Sequence, residues 1–144
     1  MMGAERRSMV LTQDQKEKTA YHEAGHAIVG LKLTKTDPVY KATIIPRGGA
    51  LGMVVSLPEV DRLNWHNIEC EQKLAMTMAG KAAEIIKYGP DRVSNGPSGD
   101  IQQASQLARA MVLRWGMSDL VGNVDYAEAH EGYSSGSAGG FSLS

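Results

Sequence analysis

Two histidines one helical turn apart, with a glutamate beside the first, constrain this chain more than any other feature. The stretch is His22-Glu23-Ala24-Gly25-His26, an H-E-x-x-H inside a run that reads as helix. At 3.6 residues per turn, positions 22 and 26 point the same way. Two imidazoles so placed can bite one zinc ion, and Glu23 is then held beside the open side of the metal. A catalytic zinc keeps one position for water, and a carboxylate at that position can take the water's proton. A third protein ligand must come from elsewhere in the chain.

The elements around this helix follow from local signals. Thr12 with Gln15 fits a capping box, so the first helix is expected to start there and run to about Leu33. Its apolar positions Ala20, Ala24, Ala27, Ile28 and Leu31 fall at helical spacing and predict the buried face. Gly25 costs helix stability by up to about 1 kcal/mol, and close approach by another segment is the usual reason for it. Asp37-Pro38 ends the helix. Residues 39–47 are rich in β-branched side chains, Gly48-Gly49 predicts a turn, and residues 51–57 form a second extended run before Pro58. An exposed strand edge in such a hairpin could hold an extended peptide by main-chain hydrogen bonds, or the hairpin could be a covering sheet only.

Asn64 is the expected cap of a second long helix, residues 65–88, with Leu74, Met78, Ala82 and Ile85 as its apolar stripe and Gly89-Pro90 as its stop. Met76 and Met78 read as core filler, and His66 as a solvated residue. Residues 93–99 form a loop. A third helix is expected from about Asp100, with Ile101, Ala104, Leu107, Ala108, Met111, Val112 and Trp115 inward and Gly116 just past its end. Residues 132–144 are Gly- and Ser-rich and read as a mobile end, where His130 makes a poor ligand.

The third ligand stays open on pattern alone. The extended metzincin pattern needs a histidine at position 32, which is Lys32. Among the acidic residues, Glu84 lies in the helical run Gly80-Lys81-Ala82-Ala83-Glu84, and Asp100 begins a helix after a loop. Both could be aimed rigidly at a metal, and neither is preferred by spacing.

Composition excludes several function classes. The chain has 144 residues with 42% hydrophobic, which suits one domain with a core. A formal net charge of -1 offers no electrostatic case for nucleic acid or an anionic membrane. Its one cysteine, Cys70, cannot form an internal disulfide, so a reducing compartment is expected. No run approaches the roughly 20 apolar residues that span a bilayer, so the chain reads as soluble.

Several motifs in register resemble the peptidase domain of the FtsH-type, membrane-anchored AAA+ zinc proteases over residues 3–127. Gly3-Ala4-Glu5-Arg6-Arg7-Ser8 is similar to that family's junction between ATPase and protease modules, and residues 19–27 to its active-site helix. Leu51-Gly52 through Leu57-Pro58, Ala79-Gly80-Lys81-Ala82-Ala83-Glu84, Ser98-Gly99-Asp100-Ile101 and Trp115-Gly116-Met117-Ser118 also fit in order. The resemblance implies His22, His26 and Asp100 as zinc ligands, Glu23 as general base, and Glu84 near the site but not on the metal. It implies an α+β, mainly α-helical fold, with a zincin-like active-site helix, a small β-hairpin or sheet and further packed helices. Peptides would lie along residues 51–57, with Gly52, Met53 and Val54 binding substrate.

On this reading, residues 1–11 are a linker from an ATPase module, residues 12–127 the zinc metallopeptidase domain, and residues 128–144 a flexible end. The family works as ATP-driven homohexamers that degrade membrane proteins and short-lived or damaged soluble ones. Its parent proteins are anchored in the bacterial inner membrane with this domain on the cytoplasmic side, or in an organelle equivalent. This chain has no G-x-x-x-x-G-K-[ST] phosphate loop and is shorter than the family at its C-terminal end, so it is expected to be an excised piece. Rival readings are a non-catalytic zinc-binding ring or scaffold module and a stand-alone metallopeptidase. Glu23 weighs against the first, because a closed structural site has four protein ligands and needs no base. Glu5-Arg6-Arg7-Ser8 weighs against the second.

Overall fold

A computed structural model describes residues 10–46, 51–58 and 64–126. In chain order the elements are helix α1 (Gln13–Lys32), strands β1 (Val39–Thr43) and β2 (Met53–Ser56), helix α2 (Asn67–Tyr88), a short 3-10 turn at Pro90–Arg92, and helix α3 (Ser98–Leu113). The fold is therefore α+β and mainly helical, as the residues and the resemblance imply. Residues 1–9 of the expected linker at 1–11, the Gly48-Gly49 turn and the end at 128–144 lie outside the described residues.

Helix α1 starts on a complete capping box. The Thr12 hydroxyl accepts from Gln15 N–H at 3.1 Å, and the Gln15 side chain accepts from Thr12 N–H at 2.9 Å. Two N–H groups that a helix start leaves unpaired are thereby satisfied. Packing of α1 on α2 is close enough to explain Gly25: a Cβ there would lie 2.4 Å from the Ala79 carbonyl oxygen and 2.8 Å from Ala83 Cβ. Helix α2 ends at Gly89, whose φ of 82° lies in the left-handed region and whose N–H closes on Ile85 O at 2.8 Å. The strands β1 and β2 pair antiparallel, with Thr43 opposite Met53 and an irregularity between Val39 and Lys41. This small sheet lies against α1.

The apolar core is small. Cys70, Leu107 and Met111 form it where α2 meets α3, with Leu74 and Met117 packed at its edge. Met76 is also buried, as core filler should be.

Three expectations about faces need correction. The buried face of α1 is Thr19, His22, Glu23, His26 and Gly30, while Ile28 and Leu31 are 59% and 69% exposed. The polar site residues claim the interface with α2, and the apolar stripe is rotated outward. On α2 the inward residues include Cys70, Met76, Thr77, Ala79, Gly80 and Glu84; Ile85 is exposed, and the helix begins at Asn67 rather than just after Asn64. Helix α3 begins at Ser98 and stops at Leu113, so Trp115 leaves the helical register and is 41% exposed instead of anchoring the core. Ile101, on the first turn of α3, is exposed as well.

Candidate active site

The site forms where the middle of α1, the second half of α2 and the first turn of α3 meet. His22 and His26 project from consecutive turns of α1, with ring centroids 4.8 Å apart and Nε2 atoms 3.2 Å apart. Each ring is held from behind. The Nδ1–H of His22 donates to Glu84 Oε2 at 2.8 Å, and the Nδ1–H of His26 donates to Met76 O at 2.8 Å. A ring nitrogen that donates in this way fixes the ring and turns the other nitrogen inward, so both Nε2 atoms converge on one spot. Asp100 Oδ2 comes to the same spot from α3, 3.0 Å from His22 Nε2 and 3.1 Å from His26 Nε2.

These three atoms fit a zinc ion. Ligands about 2.0–2.1 Å from a tetrahedral centre stand about 3.3 Å from one another, close to the separations seen here. Space is provided by Gly80 of α2: a Cβ there would lie 2.6 Å from His22 Nε2 and 2.7 Å from His26 Nε2. Asp100 is 1% exposed, and its Oδ1 has no hydrogen-bond partner among the described residues. Ligand atoms of His22, Glu23 and His26 also fall within 4.8 Å of one another. Asp100 Oδ2, however, is within hydrogen-bond distance of both imidazoles while neither Glu23 oxygen is, which separates Glu23 from the three converging atoms.

Glu23 is 2% exposed, and neither of its carboxylate oxygens has a partner among the described residues. It borders a cleft of about 650 Å³ whose wall includes Thr19, His22, Leu51, Gly52, Ser94 and Gly99. Burial raises the pKa of Glu23 above its ordinary value, although the two histidines pull the other way. A carboxylate so poised is a better base near neutral pH than an exposed one. For His22, burial alone would lower the pKa, but the hydrogen bonds with Asp100 and Glu84 outweigh it and raise it from 6.5 to about 9. His26 is raised as well: burial opposes the shift, and the Asp100 and Met76 hydrogen bonds overcome it. Asp100 is lowered, because its two histidine partners outweigh burial. Without a metal, protons shared among these groups hold the cluster together.

The residues named from sequence divide as follows. His22, Glu23, His26, Glu84 and Asp100 come together in one buried cluster. Gly52, just before β2, and Val54 within it are buried and Met53 is half-buried, with a Cβ on Gly52 only 3.0 Å from Glu23 Cγ. His66 stands apart, its ring bonded to Glu69 at 2.7 Å on the surface. Sequence reasoning missed Gly80 as the residue that leaves room at the nitrogens. A glycine inside a helix, where alanine is favoured by about 1 kcal/mol, was the available signal. It also missed Ser94, which it left in a loop, and the Met76 carbonyl, which no side-chain pattern can reveal.

The model of Peptidase family M41 matches residues 9–142. "ATP-dependent zinc metalloprotease FtsH" of Rickettsia bellii is 53% identical over 131 residues, 91% of this chain and 20% of that protein. The protein of the same name from Caulobacter vibrioides is 52% identical over 128 residues, 89% of this chain and 20% of its own length. The "Mitochondrial inner membrane i-AAA protease supercomplex subunit YME1" of Saccharomyces cerevisiae is 48% identical over 134 residues, 93% of this chain and 18% of its own. The chain thus spans about a fifth of the length of these curated relatives. With a family match running through α1, α2 and α3 and half of the residues shared with such relatives, this chain belongs to peptidase family M41.

Proposed function

We propose that this domain is a zinc endopeptidase, the protease module of a larger ATP-dependent protease. The observation that carries the reading is the meeting of His22 Nε2, His26 Nε2 and Asp100 Oδ2 beside the buried, unpartnered carboxylate of Glu23. His22, His26 and Asp100 would hold the metal. Zinc bound there supplies a Lewis acid for the scissile carbonyl and lowers the pKa of water to about 7. Glu23 takes the proton of the attacking water and later passes it to the leaving amine. Glu84 keeps the His22 ring turned so that Nε2 faces the metal. Gly52, Met53 and Val54 hold the substrate main chain. Their strand pairs with β1 on one edge only among the described residues, and it begins at the wall of the cleft.

The rest of the machine lies outside this chain. The domain works within a homohexamer, joined through residues 1–11 to an ATPase module that unfolds substrates and feeds them in. Its substrates are misassembled membrane proteins and short-lived or damaged soluble ones. The parent is anchored in the bacterial inner membrane with this domain on the cytoplasmic side, or in an organelle equivalent. Support comes from the relatives, whose names carry ATP dependence and, for the yeast protein, the mitochondrial inner membrane. No helix among the described residues is long and apolar enough to cross a membrane.

The test is Glu23→Gln in a protein that includes the ATPase module, with casein as unfolded substrate. The amide cannot accept the proton, so cleavage should fall to background while zinc content is unchanged. Normal turnover by this variant would remove Glu23 from the mechanism.

A further inference from the structure

Behind Glu84 stands a residue that none of the chemistry above uses. Glu84 is 1% exposed, and a buried carboxylate needs partners for both of its oxygens. Its Oε2 accepts from the His22 Nδ1–H at 2.8 Å, and its Oε1 accepts from the Ser94 hydroxyl at 3.2 Å. The direction of that second bond is unambiguous. Ser94 Oγ already accepts from the Gly96 N–H at 3.1 Å, and a carboxylate can only accept, so the one hydroxyl proton goes to Glu84.

A directed chain of hydrogen bonds results. The Gly96 N–H points to Ser94 Oγ, the Ser94 hydroxyl to Glu84 Oε1, and the His22 Nδ1–H to Glu84 Oε2. A carboxylate with one oxygen unbound could rotate about its last side-chain torsion, which is broad, and the His22 ring would turn with it. With Ser94 in place, both oxygens are fixed and Nε2 of His22 is held toward Asp100 Oδ2 at 3.0 Å. Ser94 and Gly96 also form part of the cleft wall, six and four positions before Asp100. One short loop therefore joins the cleft, the partner of one ligand and the helix that carries another.

We propose that Ser94 is a positioning residue for metal binding, acting through Glu84 on the orientation of His22. The inference rests on the zinc reading of His22, His26 and Asp100. Outer partners of ligating histidines contribute about 10–100-fold to metal affinity, and a neutral hydroxyl one step further out belongs near the low end.

The experiment is a double-mutant cycle on this chain, read as zinc affinity by competition with a chromogenic chelator. Circular dichroism on the metal-free proteins confirms that each variant is folded. Ser94→Ala should weaken zinc binding about tenfold, and Ser94→Thr, which keeps the hydroxyl, should restore it. In a Glu84→Ala background the same Ser94→Ala change should cost almost nothing, because its route to the metal is already cut. A residue that merely shapes the loop through Gly96 would cost the same in both backgrounds, and that result overturns the proposal. Unchanged affinity in Ser94→Ala overturns it too. If Ser94→Ala does not fold, Ser94→Gly takes its place in the same cycle. Failure of the unaltered chain to hold zinc would sink the zinc reading itself and Ser94 with it. Tight zinc in the unaltered chain and equally tight zinc in Ser94→Ala would sink only the role of Ser94.

Discussion

The two halves of α2 meet unlike neighbours. Near its start, Cys70 packs with Leu107 and Met111 of α3 in a small apolar cluster. Further along, Gly80 and Glu84 face His22, His26 and Asp100, all buried and all polar or charged. Apolar burial contributes about 25 cal/mol per Å² removed from water, whatever is bound. Buried charges cost several kcal/mol each unless paired, and a set of metal ligands is best paired by its metal. The first half of α2 is therefore a source of stability, and the second half is a site whose stability depends on what it holds. Substitutions at the two ends should be separable: one end loses zinc, the other loses the fold.

The largest effect should come from the site. Asp100→Ala should lose tightly held zinc, a drop in affinity beyond the roughly 100-fold that marks outer partners. Glu84→Ala should keep zinc at equal stoichiometry while affinity and cleavage fall about 10–100-fold. Metal analysis after gel filtration, beside casein degradation in an ATPase-containing protein, separates the two. The opposite pattern would make Glu84 the ligand.

At the apolar end, Leu107→Ala should destabilise the chain by about 2–5 kcal/mol, since Leu107 is 3% exposed and α3 can only partly close the gap. Zinc stoichiometry in the folded fraction should be unchanged. Denaturant unfolding with and without added zinc is the measurement. Zinc loss in folded Leu107→Ala would mean that the two ends are coupled through α3.

The most graded effect is that of pH. His22 has a folded pKa of about 9 against an ordinary 6.5. A raised pKa of this kind stabilises the metal-free chain fully below 6.5, and that contribution is lost as pH rises through 9. The buried Glu23 carboxyl, also raised, acts in the same direction. Zinc needs His22 unprotonated, so its affinity should climb over the same window by up to about tenfold per pH unit. Thermal melts between these limits should show a falling metal-free Tm and a widening zinc-induced shift. A flat profile would mean that no proton is displaced when zinc binds.

Much of this molecule was written into short stretches of sequence. The capping box of Thr12 and Gln15, the stop at Gly89-Pro90 and the one-turn spacing of His22 and His26 depend only on neighbours within a few residues. Helix geometry decides such features before any tertiary contact exists. At Gly25, a glycine inside a helix signalled close approach by another segment, and the fold supplies α2 as that segment.

Tertiary structure decided the rest. Glu84 lies 62 residues from His22 and Asp100 lies 78 residues away, and nothing in their spacing says which reaches Nε2 and which reaches Nδ1. The packing of α2 and α3 on α1 makes that choice. It also turned α1 against its own apolar stripe, leaving Ile28 and Leu31 outside, because His22 and His26 meet Glu84 and Asp100 in the interior. A periodic pattern ranks faces by hydrophobicity alone; a site made of polar groups is buried by the partners that satisfy it, and those partners are brought close only by the fold.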